Sequence, residues 1–490
     1  MRRSVSMAFA WAGLGEVGRQ GVRFALSVLL ARLLTPDDYG LMGMLLVFVY
    51  VAQVFVDSGL SAGLIQRKEV GPDDETSVFY VNVAAGILFA VVLCVLSPLV
   101  AAFYAQPILA PLLSVLSISV AIGSLGNVQN TLLSRAMDFR TQTKVTLATT
   151  LLSGLIGLGM AWKGCGVWSL VGQSLAQSLA GVILVWRWSP WRPTGRFRWT
   201  SVKGLWPFSW RLLASAQLNC IFENLYSLVI GKLYRPVDLG FYTRASTLAM
   251  LPAGSVTNIT QRVMFPVFCS AQDDKTGLKQ SFRRTVLAMA ALYFPVMAGM
   301  AAVAEPAVKC LLTDKWVPCV PYLQVLCFSA MLYPLHALHL NLLMAQGRSD
   351  LFLRLEIIKK AMVVLALAIT FRMGVGAMVA GVLVQSLLSL ALNSYYTRRL
   401  IQYAWRQQIR DLLPIAAASL GMASLVWSLG RVMTCNAWLL LALQVAAGVV
   451  LYGGASLALR RRGYQEAWTL AGRVRARWSV ALGRVPQVEG

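Results

Sequence analysis

Apolar runs of about twenty residues, the length a helix needs to cross about 30 Å of hydrocarbon, recur along the whole chain. Fourteen can be read, near 13–33, 41–63, 77–102, 108–132, 145–162, 166–187, 205–231, 246–268, 285–309, 320–345, 352–371, 375–397, 412–430 and 437–459. The pattern predicts an all-α polytopic membrane protein of about fourteen transmembrane helices. The first run carries a polar stripe, because Glu16, Arg19, Gln20, Arg23 and Ser27 fall at i, i+3, i+4, i+7 and i+11 of one helical face. Charge at bilayer depth is costly unless it faces a wet interior or a partner. This helix is therefore expected to line a cavity.

An internal repeat organises the rest. Residues 31–41, ARLLTPDDYGL, return as GKLYRPVDLGF at 231–241, which aligns Arg32 with Lys232, Leu33 with Leu233, Pro36 with Pro236, Asp38 with Asp238 and Gly40 with Gly240. In each copy an apolar helix stops at a cation, turns through Pro-x-Asp-x-Gly and enters the next span. Six spans separate the copies, an even number, so both keep the same orientation and the repeat is parallel. The expected organisation is two pseudo-symmetric six-helix lobes, 1–203 and 204–400, two additional transmembrane helices in 401–459, and a basic cytoplasmic tail, 460–490. The two turns are expected to act as equivalent hinges.

The second half repeats the polar lining. Arg211, Ser215, Asn219 and Glu223 follow one another at steps of four, with Glu223 at the position equivalent to Arg23. Gln53, Asp57 and Ser61 are spaced likewise, Ser255, Asn258 and Arg262 follow at three and four, and Glu356, Lys359 and Lys360 lie in the eleventh run. The same groups also admit a purely structural reading. Glu16 with Arg19, Glu356 with Lys360 and Arg23 with Glu223 would then be neutralising pairs inside a bundle, Asp57 would reach water near the outer end of its span, and the two lysines would snorkel. Cations outnumber acids on these faces, which favours the cavity.

Composition agrees with lipid as the main solvent: 57% of residues are hydrophobic and 13% charged. The net charge of +24 has an address. With the N-terminus inside, 29 of the 44 Lys and Arg fall on cytoplasmic segments, 9 on the opposite side and six within spans. This is the positive-inside pattern, with both termini cytoplasmic and anionic membrane lipids as the counter-charge; no nucleic acid is needed to explain it. Trp468, Val474, Trp478 and Leu482 among the arginines of the tail suggest an amphipathic helix on the inner leaflet. The eight cysteines show no CxxC and read as small hydrophobes; Cys310 and Cys319, flanking one outward loop, would pair only in an oxidising periplasm. His336 and His339 have no nearby acid and read as packing or pore-lining groups, not a metal site. No catalytic triad, phosphate-cradling glycine loop or cofactor motif is present in the sequence.

The stretch from Gly18 to Lys68 resembles Wzx-type polysaccharide exporters of the MOP flippase superfamily, most closely the colanic acid exporter branch. The resemblance rests on Gly18-Arg19-Gln20, Ala31-Arg32-Leu33-Leu34-Thr35-Pro36, Asp57-Ser58-Gly59-Leu60 and Ile65-Gln66-Arg67-Lys68. Asp57-Ser58-Gly59 stands where that family usually has Asp-Leu-Gly, a departure read as added polarity. The resemblance implies a transporter, not an enzyme, that moves a lipid-linked (polyprenyl diphosphate) oligosaccharide across the bacterial inner membrane for surface polysaccharide biosynthesis, by alternating access around a cationic central cavity. Arg19, Arg23, Arg211 and Arg262 are then the candidates for holding the diphosphate, with Gln20 and Asn219 beside them. Glu16, Asp57 and Glu223 would poise the arginines or exchange H⁺ or Na⁺ as coupling ion. Polysaccharide polymerase machinery is an implied partner. Two alternatives stay open: a membrane polymerase or glycosyltransferase of the same pathway, though the outward connections are short, and a multidrug cation antiporter, though the stripes lean basic.

Reporter fusions after Gly204 and Arg399 are expected to read cytoplasmic, and one after Gly164 periplasmic. A periplasmic signal after Arg399 contradicts fourteen spans.

Overall fold

In the computed structural model the described residues are 18, 20–57, 59–67, 69–272, 274–433 and 435–461, with the backbone alone described at 253–263, 266 and 458–461. Helix α1 covers 20–33. There follow α2 (Pro36–Asp57), α3 (Leu60–Gln66), α4 (Pro72–Tyr104), α5 (Leu109–Ser124), α6 (Asn127–Arg135), α7 (Phe139–Trp162), α8 (Trp168–Trp188) and α9 (Trp199–Leu233). The series continues with α10 (Pro236–Ser270), α11 (Lys275–Ala302), α12 (Ala304–Leu311), α13 (Val320–Met331), α14 (Tyr333–Ala345), α15 (Ser349–Thr370), α16 (Val375–Ile401), α17 (Trp405–Val432) and α18 (Ala437–Arg461). There is no strand among the described residues.

All fourteen expected runs are helical over their described parts. Among the described residues nine spans are long and apolar enough to cross a membrane unaided, and the run near 108–132 is α5 and α6, bent by 41° at their junction. The other four runs are α1, α9, α10 and α15, those that carry the polar stripes. Expectations placed on Glu16, Arg19 and the tail beyond residue 461 lie outside the described residues, as do the side chains of Ser255, Asn258 and Arg262.

The contacts divide the chain into two units, Met1–Gly240 and Phe241–Gly490. In the first, α5 presents Leu109, Leu112, Leu113 and Leu116 as a fully buried stripe at helical spacing, packed against α2, α4 and α8. The outer face of α4 leaves Val95 70% and Leu99 65% exposed, as suits a helix solvated by acyl chains. Helix α9 packs on α2, α3 and α4 within this unit. In the second unit α11 packs on α13 and α17, and α16 on α13, α14 and α15. Buried Asp411 of α17 accepts two bonds from Arg283 of α11, at 2.6 and 2.7 Å, and a third from Tyr403 at 2.7 Å. Such a fork satisfies a carboxylate that would otherwise be destabilising there.

The histidines prove to be helix glue. His336 meets Ser386 Oγ at 3.1 Å and Asn393 Nδ2 at 3.2 Å, and His339 meets Thr397 Oγ1 at 2.7 Å, all joining α14 to α16. Among the described residues there is no metal-ligating cluster, and Cys310 and Cys319 are buried and not joined in a disulfide.

The long connection after α8 is shorter than the sequence suggests, because α9 starts at Trp199. Residues 189–198 are buttoned onto the acidic first turn of α4. Trp191 Nε1 donates to Glu75 at 2.6 Å, Arg198 Nε sits 2.8 Å from Asp73, and the backbone N–H groups of Arg196 and Gly195 donate to Asp73 and Thr76. The loop's basic residues thus offset the acids they face.

The two Pro-x-Asp-x-Gly turns, both in the first unit, touch each other. Asp38 accepts from Thr35 N–H at 2.8 Å while Thr35 Oγ1 accepts from Asp38 N–H at 3.3 Å, a reciprocal cap on α2. At the second copy Arg235 replaces Thr35 and bonds Asp238 at 3.2 Å. A Cβ placed on Gly40 would lie 1.8 Å from the Pro236 carbonyl oxygen, and one placed on Gly240 would lie 1.9 Å from that of Pro36. The glycines therefore serve a reciprocal backbone crossing, a use distinct from the flexible joint read from the sequence. In an unobstructed helix Gly→Ala gains about 1 kcal/mol. Here Gly40→Ala and Gly240→Ala are each expected to lose about 1–3 kcal/mol through overpacking, measured by thermal unfolding in detergent; a gain in either contradicts the crossing.

Candidate functional site

Helices α2 and α9 enclose a cavity of about 550 Å³ lined by Tyr50, Val54, Ala216, Asn219, Cys220, Glu223 and Asn224. Such a volume is within the usual range for small-molecule sites. A carboxylate, two amides, a phenol and a thiol thus share a concave surface on helices that otherwise face lipid or core. Arg23 of α1 and Cys220 both act electrostatically on the Tyr50 hydroxyl, and Glu223 acts on Cys220. Asn224 Nδ2 donates to the Cys220 carbonyl at 2.8 Å, which fixes its amide against α9. Among the ion pairs of the described residues none joins Arg23 to Glu223.

Of the residues expected at the site, Glu223 and Asn219 line this cavity, and the charge of Arg23 on α1 reaches Tyr50, one of the lining residues. Gln20 lies one turn before Arg23 on α1. Arg211 is elsewhere. Twelve residues separate it from Glu223, about 18 Å along the axis, and its guanidinium lies 6.0 Å from the Trp210 ring centroid. Steps of four also drift by roughly 40° each, so Arg211 and Glu223 are roughly 120° apart around α9. The apparent single stripe from Arg211 to Glu223 is a slow spiral.

The series Gln53, Asp57, Ser61 is broken for another reason. Helix α2 ends at Asp57 and Ser61 belongs to α3. Gly59 takes φ 66°, and a Cβ there would lie 2.4 Å from the Ser209 carbonyl oxygen of α9. Both facts demand glycine. The Asp-Ser-Gly motif is thus a helix break pressed against α9, a more specific role than added polarity. Asp57 lies at the end of α2 far from the Pro36 turn, next to the Arg67 side, so on the topology read from the sequence it is near the inner end and not the outer one. Asn127, the first residue of α6, donates to Asp57 Oδ1 at 2.8 Å. Two helix breaks, α2/α3 and α5/α6, are thereby joined by a hydrogen bond. Ser61 Oγ and Ser209 Oγ, buried at this junction, have no hydrogen-bond partner.

In α15, Glu356 accepts from Lys359 at 3.3 Å, and the Lys359 side chain is only 13% exposed. That is a structural pair rather than a snorkelling lysine. The residues that sequence reasoning passed over are Tyr50, Cys220, Asn224 and Asn127. Tyr50 could have been found, since 50, 53 and 57 share a face of α2. Asn127 gives no periodic signal, because its role depends on the α5/α6 bend.

Comparison with known proteins follows from this geometry. A family model described as polysaccharide biosynthesis protein matches residues 29–321. The chain is 27% identical to teichuronic acid biosynthesis protein TuaB of Bacillus subtilis over 61% of this chain and 62% of that one. It is 27% identical to succinoglycan biosynthesis transport protein ExoT of Rhizobium meliloti, over 67% and 66% respectively. It is also 26% identical to lipopolysaccharide biosynthesis protein WzxC of Escherichia coli, over 84% and 85%. The chain therefore spans a little less than two thirds of TuaB and ExoT and most of WzxC. Among solved structures, lipid II flippase MurJ in an inward closed conformation superposes with TM-score 0.74 at 13% identity, covering 92% of this chain and 99% of that one. An inward-facing multidrug resistance MATE family transporter of the MOP superfamily superposes with TM-score 0.62 at 14% identity, covering 78% and 94%. The fold is that of MOP superfamily transporters.

Proposed function

The chain belongs to the polysaccharide biosynthesis protein family, and from that premise we propose that it flips a lipid-linked oligosaccharide on a polyprenyl diphosphate across the bacterial inner membrane, for assembly of a surface polysaccharide. The observation that carries this reading is the polar cavity between α2 and α9, with the charge of Arg23 reaching its Tyr50. A chain that needed only to stand in lipid has no use for Arg23, Asn219 and Glu223 at that depth. The named relatives act in teichuronic acid and lipopolysaccharide biosynthesis and in succinoglycan transport, which supports a glycan cargo.

In this reading Arg23 holds the diphosphate by a forked pair of charge-assisted hydrogen bonds, and Asn219 and Asn224 meet sugar hydroxyls. Arg19 and Arg262 remain candidates for the same role from the sequence, and Arg211, farther along α9, meets the headgroup at another stage of its passage. Glu223 and Asp57 poise the arginines or exchange H⁺ or Na⁺ between states. The reciprocal crossing at Gly40 and Gly240 closes the outer end, and opening it while the α2/α3 and α5/α6 breaks rearrange gives alternating access. Both termini lie in the cytoplasm, and the flipped product passes to polysaccharide polymerase machinery.

Deleting the gene is expected to strip polymer from the cell surface and to trap diphosphate-linked repeat units on the cytoplasmic leaflet; unjoined units already outside point to a polymerase instead. Arg23→Ala is expected to cut export about 10- to 100-fold, the loss of one charged hydrogen-bonded contact of about 1.5–3 kcal/mol, with folded protein retained. Arg23→Lys should rescue in part. Combining Arg23→Glu with Glu223→Arg should leave export lost, and a functional double exchange contradicts the substrate role of Arg23.

A further inference from the structure

A second cavity, of about 880 Å³, lies in the first unit at the end of α4 that starts with Pro72, lined by Arg67, Glu69, Val70, Gly71, Asp74 and Arg135. It is built by the short helices that follow the two breaks: Arg67 caps the C-terminus of α3, and Arg135 ends α6. Each guanidinium is oriented by the fold. Arg135 Nη1 donates to the Leu64 carbonyl at 2.9 Å, and Arg67 Nη1 stands 3.5 Å from Asp74 Oδ2. Asp74 also accepts from Gly71 N–H at 3.3 Å, so its carboxylate is shared between a helix cap and a long ion pair. A separation of 3.5 Å leaves Arg67 a better partner to find, since charge-assisted hydrogen bonds favour about 2.7–2.9 Å.

The surroundings say at what depth this cavity sits. Exposed Trp188, Phe197 and Trp199 stand on the adjoining α8, the 189–198 connection and α9, and aromatic side chains of this kind gather at headgroup level. On the topology read from the sequence this end of the first unit also collects most of that unit's Lys and Arg, on the leaflet whose lipids are acidic.

We propose that this cavity binds the phosphate of a membrane lipid headgroup, with Arg67 and Arg135 as its two guanidinium clamps and Asp74 as the internal competitor that the phosphate displaces from Arg67. The site is separate from the α2–α9 cavity, and the proposal does not rest on the transport reading. It assigns a use to the Arg67 position of the Ile-Gln-Arg-Lys motif that the transport reading leaves without one. A phosphodiester phospholipid and a polyprenyl diphosphate present the same chemistry to it.

The test uses the full chain in nanodiscs of phosphatidylcholine, with bound lipid counted by native mass spectrometry as phosphatidylglycerol, undecaprenyl phosphate or undecaprenyl diphosphate is titrated in. Arg67→Gln is expected to weaken retention about tenfold. Asp74→Asn, which keeps an acceptor for Gly71 N–H but releases Arg67, is expected to strengthen it. Opposite signs from two neutralising changes distinguish a phosphate clamp from a merely structural ion pair, which would weaken in both. Equal retention by wild type and Arg67→Gln at unchanged thermal stability overturns the proposal, as does weakening by Asp74→Asn. Preference for phosphatidylglycerol identifies a resident phospholipid site; preference for the polyprenyl lipids identifies a reception point for cargo; both support the clamp, and capture of inorganic phosphate alone contradicts a lipid site.

Discussion

A charge or an unpaired backbone group has no water to turn to inside a bilayer, and that constraint decides most of what this chain does with its polar residues. Many of the polar groups in these helices are paired, face a cavity, or sit at a helix break, while others, such as Thr149 Oγ1 and Tyr293 Oη, are buried without a hydrogen-bond partner. The histidine contacts between α14 and α16 and the Glu356–Lys359 pair are solutions of the first kind. Asn219 and Glu223 are solutions of the second kind. The distinction matters because only the second kind leaves a ligand something to bind.

The breaks are the third solution, and they link the two cavities. A left-handed glycine at 59, tight against Ser209, ends one helix; the 41° bend between α5 and α6 ends another. Asp57 and Asn127 join them by a 2.8 Å hydrogen bond. On one side lies the α2–α9 cavity, and beyond the breaks α3 and α6 carry Arg67 and Arg135 to the second. Beyond the Asp57–Asn127 bond Arg135 ties α6 to the Leu64 carbonyl of α3 at 2.9 Å, and Leu60, Leu64 and Val128 are fully buried there, so the short helices pack on each other although the Ser61 and Ser209 hydroxyls are left unpartnered. At the other end of α2 two backbones cross where only glycine fits, a dry contact with one good geometry.

Hydrophobic length alone placed helix in each of the runs, nine or ten of which are apolar enough among the described residues to cross a membrane, because acyl chains impose a single run length. The cation that ends each repeat and the Pro-x-Asp-x-Gly turn were legible too, since caps are local chemistry. The function of Gly40 and Gly240 was not, because it arises from two segments 200 residues apart meeting in space. Step-of-four spacing misled twice. It joined Arg211 to Glu223 although the helix has turned roughly 120° between them, and it carried Gln53 and Asp57 through to Ser61 across a helix break. Tyr50 was visible on the face of Gln53 and Asp57, whereas Asn127 acquires its partner only through the bend that brings α6 to the end of α2.

The central claim, that the polar cavity and Arg23 pass a diphosphate-linked glycan from one leaflet to the other, is tested most directly in sealed vesicles containing only this protein and a fluorescent polyprenyl diphosphate oligosaccharide, with the fraction protected from an external glycosidase followed over time. Wild type is expected to make the whole lipid pool accessible to the enzyme while Arg23→Ala leaves about half of it protected, as in protein-free vesicles. Equal accessibility with Arg23→Ala, at equal protein incorporation, contradicts the claim.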